Sequence, residues 1–164
     1  VMKAQARAEA LGAPRVEILQ PMYNLVKRQA EVEILPMAIA EGVTIHSYSP
    51  LGGGLLTGKY AAGSAGRLTE DTMYRDRYAP AWMHAAATGL SAIATGLGVD
   101  PATLAVAWTA KHKGISAPII SASRPEQLEP SLAAIDFDMT DALYNEIAAL
   151  VPAPPPATDR LEEA

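Results

Sequence analysis

The apolar positions of this chain switch repeatedly between helical and strand spacing. Val1–Leu11 (VMKAQARAEAL) reads as a helix, with Gly12 as its stop signal. Val16–Gln20 is a short β-branched run between Pro14 and Pro21 and predicts a strand. Glu31–Glu41 (EVEILPMAIAE) returns to helical spacing and stops at Gly42. Pro36 falls inside it, so either the helix begins late or Pro36 kinks it. Val43–Tyr48 is a second strand, and Ala81–Leu97 is a helix of small residues. Asp100 and Pro101 supply the N-cap and first position of the next helix. Leu104 and Trp108 share one of its faces, and Gly114 ends it. Ala117–Ile120 is a third strand. Ser123 and Glu126 have the S-x-x-E spacing of a capping box that opens a further helix. Thr140 caps the last helix, where Leu143, Ile147 and Leu150 form a stripe at i, i+4, i+7. Val151–Pro156 is extended, and the tail beyond it is charged.

Strands that alternate with helices predict parallel pairing through right-handed crossovers. Pro50–Pro80 interrupts the alternation. It is glycine-rich, then rich in charge and tyrosine (RLTEDTMYRDRYAP). A connection this long inside a compact domain is usually functional or mobile.

Composition narrows the function. The 164 residues fit one ordinary domain, and 49% hydrophobic content suffices for a sizeable core. A net charge of −5 argues against a nucleic-acid partner. Without cysteine there is neither a disulfide framework nor a thiolate metal site. His46, His84 and His112 have no second histidine or carboxylate at metal spacing, so no metal is expected. No apolar run reaches the roughly 18 residues of a membrane span, and Val1–Gly12 lacks the pattern of a signal peptide. A soluble cytoplasmic protein is expected. Val1 is not an initiator methionine, and a chain that opens inside a helix is expected to continue something longer.

The chemistry concentrates in His46–Tyr60 (HSYSPLGGGLLTGKY). A strand that runs into a glycine-rich loop holding one lysine is a phosphate-binding arrangement. Glycine lets backbone N–H groups crowd an anion, and the lysine adds a point charge. From Gly53 the spacing matches a P-loop through Gly58 and Lys59. The next residue, however, is Tyr60 rather than the Ser or Thr that would ligate magnesium, and AAGSAG is a poor helix start. An ordinary surface loop is the other reading.

Three segments in this order resemble aldo-keto reductases, closest to the branch of bacterial general reductases and potassium-channel β subunits. Val16–Arg28 (VEILQPMYNLVKR) resembles the family's sixth strand and exit loop. His46–Tyr60 resembles the segment at the end of the seventh strand. Ala117–Leu132 (APIISASRPEQLEPSL) resembles the eighth strand and the helix that grips the adenosine phosphate. The resemblance implies an α/β fold, the C-terminal portion of a (β/α)8 TIM barrel. It would comprise about three β/α units and a preceding helix, with the first five strands missing.

The resemblance further implies NADP(H) as cofactor and a small-molecule aldehyde or ketone as substrate of the parent enzyme. Gln20 would bond the nicotinamide carboxamide, and Tyr48 would stack on the nicotinamide ring. Ser49, Pro50, Leu51 and Gly53 would line the pyrophosphate, mostly through backbone groups, and Lys59 would add charge. Ser123 and Arg124 would take the 2′-phosphate, with Ser121, Gln127 and Ser131 nearby. Ser121 stands where family members usually have glycine, and Pro130 and Ser131 where many have Glu and Asn. Each residue taken alone has an ordinary reading as well. Gln20 is then a polar strand end, Tyr48 a core tyrosine, Lys59 a solvated lysine and Ser123 a helix cap.

The family's Asp–Tyr–Lys–His catalytic group comes from the first half of the barrel, and no segment here resembles it. No catalytic residue is therefore assigned. The implied partner is the missing N-terminal half of the barrel or another copy. The other expectations are a non-catalytic NADP-binding module and an inert fragment.

Overall fold

The computed structural model describes residues 1–61 and 63–155. The expectations for Pro156 and the charged tail lie outside the described residues. Three strands, β1 (Ile18–Leu19), β2 (Thr44–Ser47) and β3 (Ala117–Pro118), form one parallel sheet in the order β1-β2-β3. Ile18 lies level with Thr44, and His46 with Ala117. The strands are shorter than their sequence patterns. Pro21 has no N–H to give, so the β1 ladder breaks after Leu19. It resumes where Met22 pairs with Tyr48, with Tyr48 N donating to Pro21 O at 3.0 Å.

Side chains alternate across the sheet. Ile45 and Ser47 are buried under the helices. Thr44, His46 and Tyr48 occupy the opposite face, joined through the register by Ile18, Gln20 and Ile119. That face is open: Ile18 is 51%, Tyr48 40% and Ile119 41% exposed.

The helices cover the other side. Helix α1 (Met2–Leu11) ends at Gly12, whose φ of 61° is left-handed. Its buried Gln5 clamps the Val16 backbone with both amide atoms, at 2.8 and 3.0 Å. Helix α2 (Ile34–Glu41) begins late, after a 3-10 turn at Gln29–Glu31. Pro36 then falls in its first turn, where a missing N–H breaks no helical bond. Pro50–Pro80, expected as one loop, is partly helical. It contains a 3-10 segment at Gly52–Thr57, then α3 (Arg67–Glu70) and α4 (Thr72–Arg77). Asp71 caps α4, accepting from Met73 N at 2.8 Å.

Helix α5 (Ala81–Leu97) has the predicted bounds. Helix α6 (Pro101–Lys111) is the central one, buried throughout Ala102–Thr109. Asp100 Oδ1 accepts from Ala102 N at 2.7 Å, as its N-cap role requires. Helix α8 (Asp141–Ala148) starts on Thr140, whose hydroxyl accepts from Leu143 N at 3.2 Å. Helix α7 (Pro125–Leu132) corrects one expectation. Pro125 takes the first helical position, so Arg124 is the N-cap and Ser123 lies outside. The Ser123 hydroxyl donates instead to Gln127 Oε1 at 2.8 Å, and the expected capping box does not form. Among the described residues no single helix is long and apolar enough to cross a membrane.

Candidate functional site

The C-terminal ends of the strands gather the residues that the sequence singled out. Gln20 follows β1 and is exposed, level with His46. Tyr48 follows β2 on the same open face. The chain then makes an unusual turn. Ser49 has φ 59°, and Gly52, Gly53 and Gly54 have φ 57°, 66° and 93°. Three consecutive left-handed residues require glycine. The N–H groups of Gly52 and Gly54 close turns onto Ser49 O and Leu51 O, both at 3.0 Å. Those of Ser49, Leu51 and Gly53 have no backbone acceptor among the described residues. Pro50, buried between them, has no N–H. N–H groups left free on turns of this kind are the elements of an anion-binding concavity.

The rest of the segment folds back over this turn. The Tyr60 hydroxyl donates to Gly53 O at 3.3 Å and accepts from Leu68 N at 3.2 Å. It is committed to the loop, and no α-helix opens at Lys59, so the P-loop reading fails. A Cβ on Gly53 would stand 2.8 Å from Tyr74 Cδ1, so glycine also admits the Tyr74 ring. Lys59 does not extend into solvent. Its ammonium lies 4.8 Å from the centroid of the Tyr60 ring, beside Gly54 and Gly66.

At the third strand end, Ser121, Ser123, Arg124 and Gln127 are all exposed. Ser131 is buried and faces the core, which separates it from the other four. The singled-out residues exposed on this side are therefore Ser121, Ser123, Arg124 and Gln127.

Sequence reasoning left two supports unassigned. Asn24 is fully buried. Its Nδ2 donates to Ser49 O at 2.8 Å and its Oδ1 accepts from Val26 N at 3.1 Å. Beneath it, Arg28 grips Glu31 with Nε–Oε1 at 2.8 Å and Nη2–Oε2 at 2.9 Å, while the Tyr23 hydroxyl donates to Glu31 at 2.6 Å. Tyr23 and Tyr144 stack on the buried Trp108, with centroids 5.6 and 5.1 Å away. Burial, then the Glu31 carboxylate, raises the Tyr23 hydroxyl far above its ordinary value, so it holds its proton. Burial pushes Glu31 up, but Arg28 and Tyr23 more than offset this, and its carboxyl lies below the usual range. The spacing of Arg28 and Glu31, three apart after a strand, was the available signal.

His84 bonds Tyr78 O at 2.9 Å, and His112 Nδ1 accepts from Gly114 N at 3.0 Å. Asp71 serves as a cap, and Glu70 and Asp76 are exposed. Among the described residues no group of three potential ligands gathers for a metal.

A parallel α/β sheet with polar side chains gathered at its strand ends is the class that these features define. The chain matches the model of the aldo/keto reductase family over residues 3–152, and it belongs to that family. The family fold is the (β/α)8 barrel, with which a three-stranded parallel sheet under helices is consistent. The chain is 33% identical to "Probable voltage-gated potassium channel subunit beta" of Oryza sativa subsp. japonica, over 91% of this chain and 47% of that protein. It is 31% identical to "Uncharacterized oxidoreductase YrpG" of Bacillus subtilis, over 94% and 46%. It is 27% identical to "NADH-specific methylglyoxal reductase" of Escherichia coli, over 86% and 48%. The chain thus spans just under half the length of these curated relatives.

Proposed function

We propose that this chain is the cofactor-binding side of an NADPH-dependent aldo-keto reductase, a partial barrel that serves reduction of an aldehyde or ketone. The observation that carries this reading is the turn after Tyr48. It leaves the N–H groups of Ser49, Leu51 and Gly53 unpaired beside an exposed tyrosine ring. When bound, the reduced nicotinamide supplies the hydride. The Gln20 amide holds its carboxamide, and the Tyr48 ring fixes its plane against the substrate. Lys59 and the glycine turn hold the pyrophosphate, while Ser123, Arg124 and Gln127 hold the adenosine phosphate. Arg124 favours NADPH, although the Escherichia coli relative is named NADH-specific.

The developing alkoxide also needs a proton. Tyr23 and Tyr60 are committed to Glu31 and Gly53. We assign the acid to the N-terminal half of the barrel, which would also cover the face bearing Ile18, Tyr48 and Ile119. A cytoplasmic setting suits this cofactor.

The similarity to a protein named as a channel subunit favours one further reading, a regulatory module that binds NADP without turnover. One experiment separates the two. The protein carrying this chain, at its natural length, is titrated with NADPH and then assayed with 4-nitrobenzaldehyde. Binding with turnover supports the reductase, binding without turnover supports the module, and absence of binding overturns both.

A further inference from the structure

Lys27, Arg67 and Arg77 lie over rings beside the strand-end site, without a carboxylate within 4 Å among the described residues. Lys27 Nζ lies 5.8 Å from the centroid of the Tyr78 ring, and Arg67 Cζ and Arg77 Cζ each lie 5.4 Å from that of Tyr74; Arg67 is exposed, whereas Lys27 and Arg77 are partly buried. Both rings pack on the glycine turn. A Cβ on Gly52 would stand 3.5 Å from Tyr78 Cε1, and one on Gly53 2.8 Å from Tyr74 Cδ1. The Tyr78 hydroxyl reaches to 3.9 Å from Met22 Sδ, and Met22 is the residue paired with Tyr48. Lys27 comes from the β1 exit and Arg77 from the β2 exit, so two separate connections converge on one end of the sheet.

This convergence is not a by-product of a basic protein, because acidic residues outnumber Lys and Arg by 18 to 13. Yet among the described residues neither Lys27 nor Arg77 has a carboxylate within 4 Å, and the neighbouring Asp76 pairs with Arg75. Burial, then the charge of Arg77, lowers the Lys27 ammonium from its ordinary value, so the two cations feel each other. Partly buried like charges on one end of the sheet are relieved by an anion.

The geometry points to Lys27 and Arg77 as the pair that selects a carbonyl substrate bearing an anionic group, a carboxylate or a phosphate. This inference rests on the reductase reading. The cofactor's own phosphates are the other source of such an anion. Lys59 and Arg124 already serve them in that reading. Lys27, by contrast, connects through Tyr78 and Met22 to the nicotinamide end at Tyr48.

The test uses the protein carrying this chain at its natural length, with saturating NADPH. The ratio of kcat/KM for 4-carboxybenzaldehyde to that for 4-nitrobenzaldehyde is measured in wild type, Lys27→Gln, Arg77→Gln and Lys27→Arg. Each glutamine variant lowers the ratio about tenfold or more, mainly through KM for the charged aldehyde, as expected for a lost charged hydrogen bond. Lys27→Arg keeps the preference, and raised salt weakens it. An unchanged ratio in both glutamine variants overturns the inference. So does a loss of NADPH affinity with the ratio intact, which would give the cations to the cofactor. If neither aldehyde is reduced, the reductase reading fails, and calorimetric titration with terephthalate decides the anion site separately. Binding that Lys27→Gln abolishes and Lys27→Arg retains supports it. Absent binding, or equal binding in all variants, overturns it.

Discussion

Asn24 donates from Nδ2 to the carbonyl oxygen of Ser49 at 2.8 Å, and Ser49 is the one non-glycine residue with positive φ among the described residues. The first strand exit thereby fixes the conformation of the second. A left-handed L-residue costs about 1–2 kcal/mol. Ser49 keeps that conformation because a buried amide holds its carbonyl in place. The N–H groups that the turn leaves unpaired follow from this bond.

Asn24→Ala removes that donor, leaves Val26 N without its partner and leaves Ser49 O with only the Gly52 N–H. A loss of about 2–3 kcal/mol in unfolding free energy is expected, with weaker NADPH binding. Ser49→Gly in the same background should recover part of both, since glycine needs no such restraint. Urea unfolding and NADPH fluorescence titration measure the two effects. If Asn24→Ala keeps wild-type affinity, the turn does not depend on this bond.

Tyr48→Ala should weaken NADPH binding by roughly 1 kcal/mol through lost stacking. Arg124→Ala should cost on the order of 1.5–3 kcal/mol for NADPH and little for NADH, because only NADPH carries the 2′-phosphate. Titration of both cofactors against both variants is the check. Equal losses for the two cofactors would remove Arg124 from the phosphate contact.

The parts of the molecule that were legible in the sequence are those with local causes. The bounds of Ala81–Leu97, the Asp100 and Thr140 caps and the Gly12 and Gly42 stops need only neighbouring residues. Arg67–Glu70 and Thr72–Arg77 escaped because helices of four and six residues are too short to show a period. Ser123 has the spacing of a capping box, but proline at the first helical position fixes the cap one residue before it, at Arg124. The strand-end residues Gln20 and Tyr48 were legible, whereas Asn24 was not. Its bond to Ser49 spans 25 residues and leaves no local pattern.

Ser47 faces the helices, and its hydroxyl is buried without a hydrogen-bond partner among the described residues. An unsatisfied buried hydroxyl costs about 1–3 kcal/mol. Ser47→Ala should therefore raise Tm, or at worst leave it unchanged, and should not alter the backbone pairing of β2. A clear fall in Tm would mean that the hydroxyl has a partner in solution.

Acid should destabilise the chain in two stages. Burial lowers His112 below its ordinary 6.5, with Glu31 only partly opposing this. Glu31 itself lies below its ordinary 4.5. Both groups therefore hold fewer protons folded than unfolded. Their stabilisation is complete above about pH 6.5 and is lost as pH falls, first through His112 and then, below 4.5, through Glu31. Urea midpoints from pH 8 to pH 3.5 would show it. His112→Asn keeps an acceptor for Gly114 N and should flatten the upper stage. Glu31→Gln should flatten the lower stage while reducing stability throughout, because Arg28 loses its charged partner. A wild-type profile that is flat from pH 6.5 to 5 would contradict the His112 assignment.

The 164-residue chain by itself should reduce no aldehyde. Carbonyl reduction needs a hydride donor held against the substrate and an acid for the alkoxide. In the proposed reading, Gln20, Tyr48 and the glycine turn address the first requirement. For the second, the Tyr23 proton is held by burial and by Glu31, and the Tyr60 hydroxyl is engaged with Gly53 and Leu68. The sheet also presents Ile18, Tyr48 and Ile119 to solvent, an apolar face on short strands with open edges, which favours association. The isolated chain should elute larger than its 17.2 kDa mass, or aggregate, and should show no NADPH oxidation above buffer with 4-nitrobenzaldehyde. Mixing it with a polypeptide that supplies the N-terminal half of an aldo-keto reductase barrel should cover that face and restore turnover. Two results would sink this assignment. One is a monodisperse monomer with cooperative unfolding. The other is steady NADPH oxidation by the 164 residues alone, with mass spectrometry excluding longer contaminants, which would place the catalytic acid within this chain.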